Sequence, residues 1–301
     1  MTLSIEWTTE PAAELFDTAP RSTILQHKAY GLAMRDYMGQ APRMGVIRHG
    51  SAAIGLFQIL EMKALKGFLH TASLDRGPLW MEGHGDEADW AEFLQALRKE
   101  YPRRFGRVVR LMPETDALPD AGFRRKKLPG YQTIWVDLQK PEDELRAGLD
   151  KKWRNALSKA ERSDIEVVED NKGTFLPWLL KVYALDKTVR EYDGASPELI
   201  QLLYKHGMKF LIVKAQHEGR DIAAQLFALH GRSATYQIGW SGPEGREFNA
   251  HNLLLWKAVA ALKNRGIKEL DLGGINDEAK RLSDFKKGLG GVPVTLAGVY
   301  T

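Results

Sequence analysis

The chain has 301 residues, with 43 Lys and Arg against 39 Asp and Glu for a net charge of +4, an apolar fraction of 44% and no cysteine. That length exceeds the usual size of one hydrophobic core and the apolar fraction suffices for two, so two domains are expected; without cysteine, disulfides and thiolate chemistry are excluded. No run of about 18 apolar residues and no leader-like segment is readable, so neither a membrane span nor export is expected and the product is assigned to the cytoplasm. In chain order, a helix is predicted over residues 23–37, then strands at 45–47, 52–60 and 67–74. A helix over 87–101 sets Trp90, Phe93, Leu94 and Leu97 on one face, and VVRLMP at 108–113 reads as a strand. After a strand at 133–138, Pro141 suits a first helical position, and Leu145, Leu149, Trp153, Ala156 and Ala160 form an apolar stripe. Helices near 175–185 and 197–205 precede strands at 209–215, 222–229 and 234–240. Leu255, Ala258, Val259 and Leu262 then recur at helical spacing, and Gly266 supplies the stop. The following IKELDLGGI alternates apolar and charged residues and ends in two glycines, which predicts a strand ending where backbone approaches a ligand closely.

Four segments carry a resemblance: RGPLW at 76–80, GFRRKKLPGYQTIWVDL at 122–138, LDKKWRNALSKAER at 149–162, and DLGGI with FKKGLGG at 271–291. In this order, with matches running from about residue 26 to 291, they resemble the Fem family of aminoacyltransferases, which move an amino acid from aminoacyl-tRNA onto the peptide stem of a peptidoglycan precursor. The resemblance implies an α/β fold of two acetyltransferase-like (GNAT) domains with mixed sheets, divided here as 1–138 and 139–301. No heptad insert for a coiled-coil arm is present. It also implies aminoacyl-tRNA as co-substrate with no bound cofactor or metal, a nucleotide- or lipid-linked cell-wall precursor as partner, and peripheral contact with the inner membrane face.

Lys151 and Arg154 lie three apart and share a helix face turned away from the apolar stripe. They suit a grip on a diphosphate or RNA backbone, and equally a plain solvated face. The resemblance puts Arg154 on the acceptor diphosphate. Lys286 and Lys287 stand between an aromatic residue and glycines. A fixed cation there would steady the tetrahedral oxyanion formed when an amine attacks an ester, whereas the bland alternative is a charged surface turn. The resemblance nominates Lys286, framed by Phe285. It also turns Tyr236 toward the acceptor, although a strand aromatic is as often core, and Asp271 either orients a ligand or closes its strand. Eight residues after Gln26, where the family has a lysine, this chain has Met34, and the adjacent Arg35 is the expected substitute. His217, His230 and His251 read as structural, without metal-ligand spacing, and no carboxylate or histidine base can be named.

The rival chemistry is acyl-CoA-dependent N-acyl transfer, in which a glycine-rich loop holds the pyrophosphate. Here GWSGPEGREFNAH at 239–251 offers Asn249 and His251 where small residues are expected, although Gly242 and Gly245 leave a looser cradle. A third reading is a non-catalytic RNA or precursor-binding module using Arg103, Arg104, Arg107, Arg124, Arg125 and Lys126.

Overall fold

The computed structural model describes residues 3–9 and 13–301. In chain order the first sheet takes β1 (Leu3–Thr8), β2 (Ala41–His49), β3 (Ala52–Ala64), β4 (Leu69–Asp75), β5 (Leu79–Trp80) and β6 (Arg107–Met112), with helices α1 (Ala13–Thr18), α2 (Lys28–Met38) and α3 (Glu87–Glu100) between them. Its order is β1-β2-β3-β4-β6, with β5 beside β3. Alternate residues of these strands, among them Ile47, Ile59, Leu74 and Leu111, point to one side, where α3 covers them with Trp90, Phe93, Leu94 and Leu97. The start of α3 is fixed by Asp86, whose side chain accepts from the Asp89 N–H, with acids in the first turn and bases in the last.

The second sheet uses β7 (Gln132–Asp137), β8 (Glu166–Asp170), β9 (Lys209–His217), β10 (Arg220–His230), β11 (Ser233–Ser241), β12 (Glu269–Asp271) and β13 (Val292–Thr295). Its order is β13-β7-β12-β11-β10-β9-β8. Helices α4 (Glu142–Ala147), α5 (Lys151–Glu161), α6 (Leu176–Arg190), α7 (Pro197–Lys205), α8 (Pro243–Glu247), α9 (Ala250–Asn264) and α10 (Lys280–Lys287) complete it. One face packs under α5 and α9 through Trp153, Leu157, Leu254 and Ala258; the other packs under α6 and α7 through Leu179, Tyr183, Ile200 and Leu203.

Several elements differ from expectation. The 133–138 strand belongs to the second sheet, between β12 and β13, so the chain changes sheets between Met112 and Gln132, ahead of residue 138. The reason is its buried run Thr133–Val136, which suits a central strand covered on both faces. The halves also interlock. Ala29 and Ala33 of α2 pack into the core beneath α6 and α7, and Tyr300 bridges back to Leu111 and Arg125. The predicted 23–37 helix is broken at His27, which is extended and whose Nδ1 accepts from the Ala29 N–H. The 145–160 stripe divides into α4 and α5, because Asp150 turns to cap α5 through the N–H groups of Lys152 and Trp153. Pro141 caps α4 from outside rather than opening it. FKKGLGG is no turn at its start: Phe285, Lys286 and Lys287 close α10.

Candidate active site

The site is made where the second sheet splits. β11 and β12 pair in parallel over three residues, Ser233↔Glu269 to Thr235↔Asp271; β11 then runs on to Ser241 while β12 ends. Opposite β10, β11 carries an extra residue, since Phe227 faces Tyr236 and Leu226 faces Ile238. The bulge flips side-chain alternation, so Tyr236 lies in the core beneath α5 and α9, whereas Ile238 lies beneath α6. The two strands therefore part at the carboxyl end of β12, and such a cleft between strand ends is the usual location for a ligand in an open α/β sheet.

α10 puts Lys286 into that cleft. The helix is held by the Trp153 indole, whose Nε1 donates to the Phe285 carbonyl at 3.1 Å, with the two rings 6.1 Å apart. Lys286 is 5% exposed, its Nζ donates to the Gly274 carbonyl at 2.7 Å, and it stands 5.9 Å from the Tyr236 ring centroid. Gly273 adopts φ 73°, and a Cβ there would lie 3.6 Å from the Lys286 Nζ, so glycine allows the backbone and ammonium to approach. Burial lowers the Lys286 ammonium to about 8, with the Asp271 carboxylate opposing that shift. Lys287, one helical step away, faces water. Burial pushes the Tyr236 phenol above its usual value.

Asp271 is not available to a ligand. It is fully buried, accepting from Arg76 Nη1 at 2.5 Å, the Gly273 N–H at 2.8 Å and the Thr133 hydroxyl. Burial alone would raise its carboxyl, yet Arg76 and these donors hold it below the ordinary carboxylate range. Arg76 comes from the first half and also forks onto Glu114 at 2.6 and 2.8 Å. Of the two roles open to Asp271, the structural one is filled, and it extends to a tie between the halves, which sequence spacing could not reveal across 195 residues.

Arg154 and Lys151 are exposed on α5, and the Arg154 guanidinium turns back to the carbonyls of Ala147 and Leu149 at 3.3 and 2.9 Å, closing the end of α4. Arg35 does not join them. It lies exposed on α2, beside Asp36 and a groove of about 480 Å³ formed with strands of the first sheet, which Lys28 and Arg43 also line.

One residue read as structural stands inside the cleft. His251 opens α9, half-buried, and its Nε2 donates to the Trp240 carbonyl at 2.9 Å, because a carbonyl can only accept. A Cβ on Gly239 would lie 1.9 Å from the Tyr236 hydroxyl and 3.1 Å from His251 Cε1, so the two side chains converge there. The His251 ring is 6.0 Å from Phe285. Burial keeps its pKa below the ordinary 6.5, with Arg246 adding to that and the Trp240 carbonyl and Asp186 opposing. Gln225 donates to the His251 carbonyl at 3.0 Å, leaving its Oε1 buried and without a partner. Asn249 takes the left-handed conformation, φ 55°, that a glycine would supply. Its side chain therefore does not by itself disqualify the loop as an anion cradle.

A cavity of about 810 Å³ lies elsewhere, beneath α2 and the β10–β11 hairpin, and none of the predicted site residues lines it. Among the described residues no three His, Cys, Asp or Glu side chains gather as a metal site, and no helix is long and apolar enough to cross a membrane.

An acetyltransferase (GNAT) domain model matches residues 144–286. No curated protein sequence matches the chain. Among solved structures, FemX superposes with a TM-score of 0.81 at 14% identity, covering 98% of this chain and 96% of that one. The C-terminal domain of a putative lysylphosphatidylglycerol synthetase from Agrobacterium fabrum gives 0.59 at 13% identity, covering 96% and 90%. A tandem GNAT protein from the clavulanic acid biosynthesis pathway gives 0.50 at 14% identity, covering 99% and 98%. The chain shares the fold of FemX, with a GNAT domain matched in its second half and two mixed sheets, and among the described residues there is no coiled-coil arm.

Proposed function

We propose that the chain is a cytoplasmic aminoacyltransferase that moves an amino acid from aminoacyl-tRNA onto an amine of a peptidoglycan precursor. The observation that carries this reading is the buried Lys286 ammonium at the split of β11 and β12, a cation kept in a low-dielectric cleft at an energetic cost. Its use there is electrostatic. As the acceptor amine forms its bond to the ester carbonyl, charge builds on the carbonyl oxygen, and a fixed ammonium steadies it before the C–O bond to ribose breaks. His251 takes the amine proton. Its Nε2 is committed to Trp240, so the neutral ring presents Nδ1, and the proton passes on to the departing ribose oxygen. His251→Gln retains an N–H for the Trp240 carbonyl but has no basic nitrogen, and is expected to lower transfer by about a hundredfold with little change in KM. Transfer within a few fold of wild type would return His251 to a structural role.

Arg154 is assigned to the acceptor diphosphate. Arg154→Ala is expected to weaken precursor binding by about tenfold or more, whereas its lost carbonyl contacts shift the melting temperature only slightly. Unchanged affinity measured by calorimetry would leave Arg154 as the closing residue of α4 alone.

A second reading, acyl transfer from coenzyme A, is favoured by the left-handed Asn249 at the opening of α9, the backbone conformation that a glycine would supply in a pyrophosphate-binding loop. Mass spectrometry of cell-wall precursors from cells lacking the protein separates the two. The aminoacyl reading expects one amino-acid branch to disappear; an intact precursor profile would sink it.

A further inference from the structure

The first half carries an apolar surface that the fold leaves uncovered. Leu65 is 70% exposed, Phe68 57% and Phe105 87%, the first two in the β3–β4 turn and the third in the loop before β6. The Phe68 and Phe105 rings meet at 5.7 Å. The patch continues onto the sheet. Met62 pairs with Thr71 and Thr71 with Val108, so exposed Met62 and Val108 share the outer face, with Leu69 two residues from Thr71 on the same side. Six large apolar side chains in one exposed cluster are unusual for a surface without a partner.

The charge around them is mainly basic. From Met62 to Leu74 and from Tyr101 to Pro113 the sequence has no Asp or Glu, but it has Lys63, Lys66, Arg103, Arg104, Arg107 and Arg110, the last paired with Asp75 just beyond the first span. The adjoining Glu61 is buried and engaged by Arg43, Tyr101 and Lys63. Arg104 reaches the Gly67 carbonyl at 3.4 Å, which sets its guanidinium beside the turn. Next to Val108 a groove of about 570 Å³ is lined by Arg98, Arg103, Arg104, Arg107 and Lys126. The Nε atoms of Arg98 and Arg107 are buried there without a hydrogen-bond partner.

We propose that this face docks onto an anionic lipid bilayer, with Leu65, Phe68 and Phe105 entering the interface and the basic groove meeting headgroup phosphates. Apolar insertion and a cluster of Lys and Arg are the two signals that stable, reversible membrane attachment needs. RNA would employ the cations and the aromatic rings but give Met62, Leu65, Leu69 and Val108 nothing to do. A second copy would bring like charges face to face. The surface lies in the first half, whereas Lys286 lies in the second, so the inference stands apart from the proposed chemistry.

Co-sedimentation of the whole chain with phosphatidylcholine vesicles, with and without phosphatidylglycerol, tests it. Binding is expected to the anionic vesicles only, and to fall as salt is raised. Leu65→Ser with Phe105→Ser, both highly exposed and so without effect on the melting temperature, is expected to weaken binding about tenfold or more at unchanged charge. Arg104→Gln with Arg107→Gln should weaken it as well. No vesicle binding by wild type overturns the proposal. So does binding that depends on the arginines but not on Leu65 and Phe105, with RNA competing, which marks a nucleic-acid surface. A dimer in size-exclusion chromatography that the serine variant dissociates, with vesicles ignored, marks self-association and overturns it equally.

Discussion

Lys286→Met is expected to lower single-turnover transfer by about a hundredfold or more, while Lys287→Met stays near wild type. The two residues are adjacent on α10, yet one ammonium is buried against Gly274 and Tyr236 and the other is in water, so the pair controls for net charge. The same substitution should stabilise the fold. A lysine lowered from 10.5 to about 8 is disfavoured as a cation by burial, and a methionine removes that penalty, for a gain on the order of 1–3 kcal/mol after the lost bond to Gly274. The sign follows from proton binding. Below about pH 8 the lysine is charged in both folded and unfolded chains and the whole penalty is present. As pH rises from about 8 toward 10.5 the folded lysine gives up its proton first and the penalty fades, so the advantage of Lys286→Met disappears across that window. Transfer by wild type should decline as pH rises through the same value. Equal, mild effects of both methionine variants on rate would remove Lys286 from the reaction.

Arg76→Met is expected to destabilise the protein by about 3–5 kcal/mol, lowering its melting temperature by on the order of 10 °C. Arg76 is nearly fully buried and is the shared partner of Asp271 and Glu114, so its removal leaves two carboxylates in the interior with their cation gone. Burial opposes its charge, but the two acids hold its pKa above the usual arginine value. Arg76→Lys should recover only part of the loss, because a point charge cannot reproduce the fork onto Glu114. Since Asp271 is held below its ordinary pKa, the tie it makes is present above the unfolded value of 3.8 and is lost as pH falls through the lower folded value. A variant as stable as wild type would mean that the halves are joined chiefly by the apolar packing of α2.

The chain signalled its local elements through periodicity. Trp90, Phe93, Leu94 and Leu97 announced the covered face of α3, and the apolar spacing of α9 announced the helix beside the cleft. Pairing between distant strands carried no such signal. The run Ile134–Trp135–Val136 is buried on both sides, which fits a central strand of either sheet, and only its partners β12 and β13 decide. α10 was hidden because KRLSDFKK is mostly polar and the glycines after it read as a turn. Within the cleft, the divergence of Lys286 from Lys287 followed from adjacency alone. Arg76 and His251 did not, since the first acts through a partner 195 residues away and the second through a ring nitrogen whose freedom depends on a single carbonyl. Arg35 shows the opposite failure: a charge at a fitting spacing, placed in a groove against the first sheet rather than with Arg154.

The most direct measurement is single-turnover transfer from a labelled aminoacyl-tRNA to a peptidoglycan precursor bearing a free amine, run beside a panel of acyl-CoA donors. The aminoacyltransferase account predicts that label leaves the tRNA faster than spontaneous hydrolysis and appears in amide linkage on the precursor. Label lost only at the hydrolysis rate, with an acyl-CoA supporting acylation instead, would contradict it.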